Sequence, residues 1–490
     1  MSRVALVRIA PSYAGLAPPW GPGKDHPELR ALLGPAPPGD PPNPVYAAVR
    51  DALRGLDLDG DAFGSEAWNP LGALVGRRGR VVLKPNFIRH WNPCPGATLE
   101  SVVTHGSLLR AVADYAFLAV GPEGSVTVAE APQQDCRFAE VAGFAGLPQM
   151  ASFYADVLGR ELEVVDLRRE EVWTRDGVIV ERRPLPGDPA GYRRVDLGER
   201  SFFSGSDLDP ERFRGADYDP GPTSEHHRGG RNEYLLSETA LAADLLINLP
   251  KLKTHKKTGV TLALKNLVGI NGDKNWLPHH CAGSVGEGGD EYPGDRLVDR
   301  WRSRATDAAR AWLGAGRATG LVRLARRLEF AVRGADFVRS GNWHGNRTTW
   351  RMCLDLNRCL YYSDARGLHL DARAPVRTVL SVLDGVVAGE GQGPLAPADR
   401  PAGVVLASTD PVALDLAALR LMGFDEERIP KVREAMRDEG PRVTAVRGPS
   451  DVELVEIEAG RSRPVPLDEI GGIPFRPHAG WVGHIERGRP

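Results

Sequence analysis

The sequence predicts an α/β fold: a mostly parallel sheet with helices on both faces, plus a partly β insertion and a helical insertion. Three observations lead there. Short, continuous apolar runs alternate with segments of helical spacing, the pattern of strands buried on both faces. Polar residues follow directly on those runs, as at the strand exits of an open sheet. Two polar stretches, 169–233 and 274–349, interrupt the alternation.

Taken in order, residues 4–9 read as a strand, and Val45, Val49, Leu53 and Leu56 give 45–56 helical spacing. Between them, 11–44 holds eleven of the forty prolines and is expected to be an irregular excursion. Strands follow at 80–83, 125–129 and 162–167, with helices at 108–118 and, in parts, 138–158. The insertion 169–233 is partly strand-like, with a turn at Arg175-Asp176-Gly177. A buried strand at 244–249 ends in Pro250-Lys251, and a helix is expected over 258–268 with Thr258 as its cap. Strands at 377–383 and 403–407 end at Asp384 and Ser408-Thr409-Asp410. Asp410 then caps a helix with Pro411 in its first turn. The organisation expected is a core of 1–273 with 350–460, a mainly helical basic insertion at 274–349, and an irregular tail at 461–490.

Composition excludes several classes. The 490 residues carry 62 Lys plus Arg against 64 Asp plus Glu, a net charge of −2, so no nucleic-acid binding is expected of the whole chain. Five cysteines without CxxC spacing exclude a disulfide framework, a zinc ribbon and a ferredoxin-type iron–sulfur cluster as readable features. No run of eighteen uncharged apolar residues exists, so no transmembrane segment is expected. Residues 1–9 are too short and too interrupted for a secretory signal, and a cytoplasmic location is expected.

The basic count conceals a split. The chain has nine lysines and 53 arginines, and six of the nine lysines (Lys251, Lys253, Lys256, Lys257, Lys265 and Lys274) fall in one 24-residue window. A merely solvated loop in this chain would carry arginine. Ammonium groups beside a helix start suit an anionic ligand. Their mutual repulsion also suits a base or nucleophile with a lowered pKa. Lys253 and His255 are therefore the candidate catalytic groups. Lys84, Asn86, Asn248, Lys251, Lys265, Asn266, Asp384, Glu390 and Asp410 are candidate ligand-binding residues. The segment 384–394 reads as a glycine-rich loop without a Walker or dinucleotide signature. Asp384, Asp410 and Asp415 could supply oxygen ligands to a divalent cation such as Mg²⁺. His279 and His280 are adjacent, which disfavours joint ligation of one metal, and they read as lining near the lysines. Residues 295–339 hold eleven arginines against five acids. Leu321, Leu324, Ala325, Leu328 and Val332 share one helical face there, a basic amphipathic helix able to meet a partner or membrane surface.

An ordered set of motifs then resembles the domain of unknown function 362 family. The matching pieces are Leu83-Lys84-Pro85-Asn86, Thr104-His105, Ile247-Asn248-Leu249-Pro250-Lys251-Leu252-Lys253-Thr254-His255 and Leu264-Lys265-Asn266-Leu267-Val268-Gly269. Asp384-Gly385, Gly393-Pro394 and Ser408-Thr409-Asp410-Pro411-Val412-Ala413-Leu414-Asp415 complete it. The resemblance implies an α/β fold with a site around Lys251–His255, but no settled reaction. Many relatives carry appended iron–sulfur modules; this chain has no such cysteine motif. The sequence thus points to an enzyme acting on a small anionic metabolite. A non-catalytic ligand-binding or redox accessory protein and a membrane-surface or partner-binding protein are the alternatives.

Overall fold

The computed structural model describes residues 1–488 except 35, 37, 38, 176, 177, 295, 296, 298, 299, 302, 306, 307, 309–311, 313–337 and 339. Its centre is an eleven-stranded mixed sheet. The first strands are β1 (Ser2–Arg8), β2 (Arg80–Pro85), β3 (Ser125–Glu130) and β4 (Leu162–Asp166). Next come β5 (Glu170–Arg175), β6 (Val178–Pro184), β7 (Tyr192–Asp196), β8 (Phe213–Arg214) and β9 (Glu233–Ser237). Then follow β10 (Leu245–Leu249), β11 (Lys251–His255), β12 (Gly259–Val260) and β13 (His280–Cys281). The last are β14 (Thr378–Gln392), β15 (Ala396–Ser408), β16 (Val452–Glu458) and β17 (Arg461–Val465).

Across the sheet the order is β17, β16, β1, β15, β14, β10, β2, β3, β4, with β11 beside β14 and β12 beside β11. The run from β14 through β10, β2 and β3 to β4 is parallel throughout, and β1 is parallel to β16. The β14–β15 hairpin is antiparallel and links the two halves. This mostly parallel sheet is the α/β fold expected.

Side chains alternate between two cores, as the strand period requires. Val81 and Leu83 join one core with helices Pro44–Gly55 and Gly106–Val120; Val82 joins the other with helices Thr349–Tyr362 and Pro411–Met422. Both faces are therefore covered.

Four local expectations change. Lys251–His255 is a strand rather than a loop: it pairs in parallel with β14 and antiparallel with β12. The helix expected over 258–268 shrinks to Leu262–Asn266 and a 3-10 turn, Leu267–Ile270, because Gly259–Val260 is spent on pairing with Thr254 and His255. Thr258 bonds the Val260 carbonyl instead of capping that helix. The glycine-rich segment after Asp384 continues β14, paired with β15 on one side and β11 on the other, and turns only at Gly393. Its glycines serve that packing: a Cβ on Gly385 would press on Leu252 and Val404, and one on Gly389 on the Ser101 carbonyl. The tail also departs from irregularity, since β17 pairs with β16.

The insertion after β4 forms the β5–β6 hairpin and a β7–β9 pair, although its turn at Asp176-Gly177 lies outside the described residues. The basic amphipathic face at 321–332 likewise lies outside them. Among the described residues, no helix is long and apolar enough to cross a membrane.

Candidate functional site

A cleft of about 390 Å³ opens at the carboxyl ends of β2, β3 and β11. Its position follows the rule for open α/β sheets. Six lysines line it, Lys84, Lys253, Lys256, Lys257, Lys265 and Lys274, with two carboxylates, Glu130 and Asp135. No arginine is among the described lining residues, in a chain with 53 of them.

The floor is a buried polar network. Lys84 leaves the end of β2 and is only 1% exposed. Its Nζ donates to Glu130 Oε2 at 2.6 Å, to the Pro85 carbonyl at 2.8 Å and to Asn266 Oδ1 at 3.3 Å. Burial lowers the Lys84 pKa and raises that of Glu130, each opposed by the charge of the other. Asn86 Nδ2 donates to the same Asn266 Oδ1 at 2.6 Å, while Asn266 Nδ2 donates to Asn248 Oδ1 at 2.7 Å. Asn86 Oδ1 is buried with no hydrogen-bond partner among the described residues. Gly269 lies against this floor, where a Cβ would collide with Glu130 Oε1 and Lys84 Nζ.

Above the floor stand the other amines. Lys253 is fully buried and donates to the Val102 carbonyl. Burial, then Lys251 and Lys265, push its pKa well below the usual lysine range. Lys274 donates to the Val268 and Asn271 carbonyls at 3.3 and 3.4 Å, and burial brings it down to about 7. Lys265 is partly exposed and lines the cleft. Its pKa is also lowered by burial, and its Nζ has no hydrogen-bond or ion-pair partner among the described residues. His255 is buried, and burial together with Lys265 and Lys256 holds it well below 6.5. Its Nδ1 accepts from the Lys257 amide at 3.1 Å, so the neutral ring carries its proton on Nε2. His279 and His280 line the same cleft, and His279 is pushed down to about 3, chiefly by burial.

The cleft thus unites Lys84, Asn86, Lys253, His255, Lys265 and Asn266. It does not include Asn248, Lys251, Asp384, Glu390 or Asp410 in its lining. Asn248 stands behind Asn266 as its support. Lys251 Nζ lies 2.9 Å from Asp384, both wholly buried. Asp384 also accepts from Tyr13 and from the His105 amide, so the Pro-rich excursion closes over it. Glu390 accepts from the Arg476 amide at 3.0 Å. Asp410 caps its helix at Val412 and Ala413 and accepts from Ser2 and Thr444. Asp415 is buried against Lys431 at 2.7 Å and accepts from the Ala263 and Leu264 amides. It therefore occupies the helix start proposed for a ligand anion. Asp384, Asp410 and Asp415 are each closed by separate protein partners, and no metal-holding group of three His, Cys, Asp or Glu occurs among the described residues.

Glu130, a strand-exit residue, and Lys274, in the lysine window, also line the cleft, although the sequence assigns neither a catalytic or ligand-binding role. Nothing in the sequence marks Val172, Thr174 and Ile179, which come from the β5–β6 hairpin.

The model of the family described as domain of unknown function (DUF362) matches residues 199–420. This chain resembles the DUF362 family. The matched stretch holds β11, Lys265, Asp384, Asp410 and Asp415, while Lys84, Asn86 and Glu130 precede it. A thylakoid-associated protein of Synechocystis sp. is 24% identical over 253 residues, 51% of this chain and 54% of that protein. The chain spans about half the length of that curated relative.

Proposed function

We propose that this DUF362-like chain is an enzyme that binds a small phosphate- or carboxylate-bearing metabolite in the lysine cleft and moves protons on it. The unpartnered Lys265 ammonium, set in a lining of six lysines and two carboxylates, carries this reading. Lysine rather than arginine also favours chemistry over simple charge pairing. A guanidinium stays protonated, whereas a buried ammonium can give up its proton. Lys274, near 7, is matched to general acid–base work at neutral pH. Lys253 is a second amine held towards the neutral form, and neutral His255 offers Nε2–H as a hydrogen-bond donor. Lys265 and Asn86 would orient the anion and its substituent.

The test is thermal stabilisation of the full chain by orthophosphate, pyrophosphate and citrate, compared with Lys265→Met. At least one of these anions should stabilise the natural protein, and the variant should need about tenfold more of it, the loss expected of one charge-assisted contact. Equal responses from both proteins would remove Lys265 from the site.

A second reading concerns location. The Synechocystis relative is thylakoid-associated, and Leu297, Trp301 and Trp312 are exposed on this chain, 72%, 70% and 50% respectively. Exposed tryptophans beside a basic stretch suit a membrane surface. Co-sedimentation with anionic vesicles, lost in Trp301→Ser, tests it; no sedimentation of the natural protein would dismiss it.

A further inference from the structure

The lining of the cleft divides by origin. The core supplies most of its charged and amide groups, among them Lys84 and Asn86 from the end of β2, Lys253 from β11, and Lys265 and Asn266 from the short helix. The remaining wall comes partly from the core and partly from additions to it. The insertion contributes Val172 from β5 and Ile179 from β6, with Ala216 from the stretch after β8. The turn between β14 and β15 contributes Pro394 and Leu395, and the core itself adds Phe87, Ile88, Ala131, Pro132 and Val268 to the apolar part.

The choice within the insertion is selective. The β5–β6 hairpin is rich in charge, with Glu170, Glu171, Arg175, Glu181, Arg182 and Arg183 on its two strands. Yet its residues in the lining are Val172, Thr174 and Ile179, all uncharged. Val172 and Thr174 are two residues apart and so share a strand face. The hairpin is held there by the Val172 amide donating to the Gln134 carbonyl at 2.8 Å, and by the Ile179 amide bonded to Tyr218 Oη. The Val172 and Ile179 amides are thus engaged, and their side chains offer apolar contact, while Thr174 adds one hydroxyl. A polyhydroxylated body lying against Val172, Ile179 and Leu395 would leave the hydroxyls that face them unpaired, at a cost in affinity.

We propose that the ligand is an amphiphilic anion: a phosphate or carboxylate joined to an aromatic or branched aliphatic body. This rests on the anion-binding reading above and narrows its substrate class. The volume of about 390 Å³ lies within the ~300–1,000 Å³ of small-molecule sites and accommodates the body of a metabolite.

The experiment compares phenyl phosphate with glycerol 3-phosphate by calorimetric titration of the full chain, which share the anion and differ in the body. Phenyl phosphate should bind tighter by about tenfold or more, from burial of its ring. Ile179→Ser and Leu395→Ser, on two different hairpins, should each reduce that preference by weakening phenyl phosphate more than glycerol 3-phosphate. Melting temperatures near that of the natural protein confirm folding of each variant. Equal affinities, or a preference for glycerol 3-phosphate, would overturn the amphiphilic assignment while leaving the anion site standing. Absence of binding by both would overturn the anion site itself, and this inference with it.

Discussion

Replacing Glu130 by Gln is the most informative single change. It keeps the volume and removes the charge facing Lys84, whose ammonium is 1% exposed and 2.6 Å from the carboxylate. Removing one partner of a buried ion pair costs ~3–5 kcal/mol, because the other charge is stranded. A ceiling comes from titration. A lysine that ordinarily titrates at 10.5 can shed its proton at pH 7 for about 5 kcal/mol. At pH 9 the same step costs only about 2 kcal/mol. The sign follows from proton counting. The variant's folded state would release the Lys84 proton that its unfolded state keeps up to 10.5, so its stability rises with pH over that interval. Urea unfolding followed by tryptophan fluorescence at pH 7 and pH 9 measures both quantities. The expected deficit is ~3–5 kcal/mol at pH 7, smaller at pH 9. A deficit below about 1 kcal/mol, the range of exposed pairs, or one unchanged between the two pH values, would refute the reasoning.

Other expectations follow from the same geometry. Lys431→Met strands the buried Asp415 carboxylate and should cost ~3–5 kcal/mol in urea unfolding, with much of the loss recovered in Lys431→Met/Asp415→Asn. Lys274 titrates near 7 when folded and at 10.5 when unfolded, so the unfolded state binds more protons between them and stability rises across that window; calorimetric melting of Lys274→Met should lack this part of the slope. Asp355 is raised to about 6, chiefly by burial, so its contribution falls as pH rises from 3.8 through 6, and Asp355→Asn should flatten the melting profile there. Asp410→Ala removes a helix cap and its contacts to Ser2 and Thr444, and should lower stability by ~1–2 kcal/mol without changing phosphate binding.

The parallel strands were legible because burial on both faces leaves continuous apolar runs such as 245–249, and the strand exits could be marked from them. The lysine split located the cleft: of the nine lysines, six line it and two, Lys251 and Lys431, are locked in buried ion pairs. What sequence could not separate was which strand-exit acids face a ligand. Glu130 and Asp384 both end apolar runs, but Asp384 is covered by Tyr13, which arrives from the Pro-rich excursion more than 370 residues earlier in the chain. The segment 384–394 read as a loop because glycine normally weakens strands, yet here close packing of β11 against β14 requires it. The apolar wall escaped notice for a similar reason. Val172 and Ile179 sit among charged residues, and only the folding of the insertion over the strand exits gives them a role.

The central claim is that crowded, buried amines form an anion site whose protonation changes on binding. Titration calorimetry of pyrophosphate at pH 8, repeated in two buffers of different ionisation enthalpy, tests it most directly. With Lys274 near 7, its amine is mostly neutral at pH 8 before the anion arrives, and a bound anion should draw a proton back onto it. The account predicts saturable binding with net proton uptake, seen as heats that differ between the buffers. Saturable binding with identical heats, or no binding of pyrophosphate, orthophosphate or citrate at millimolar concentration, would contradict it.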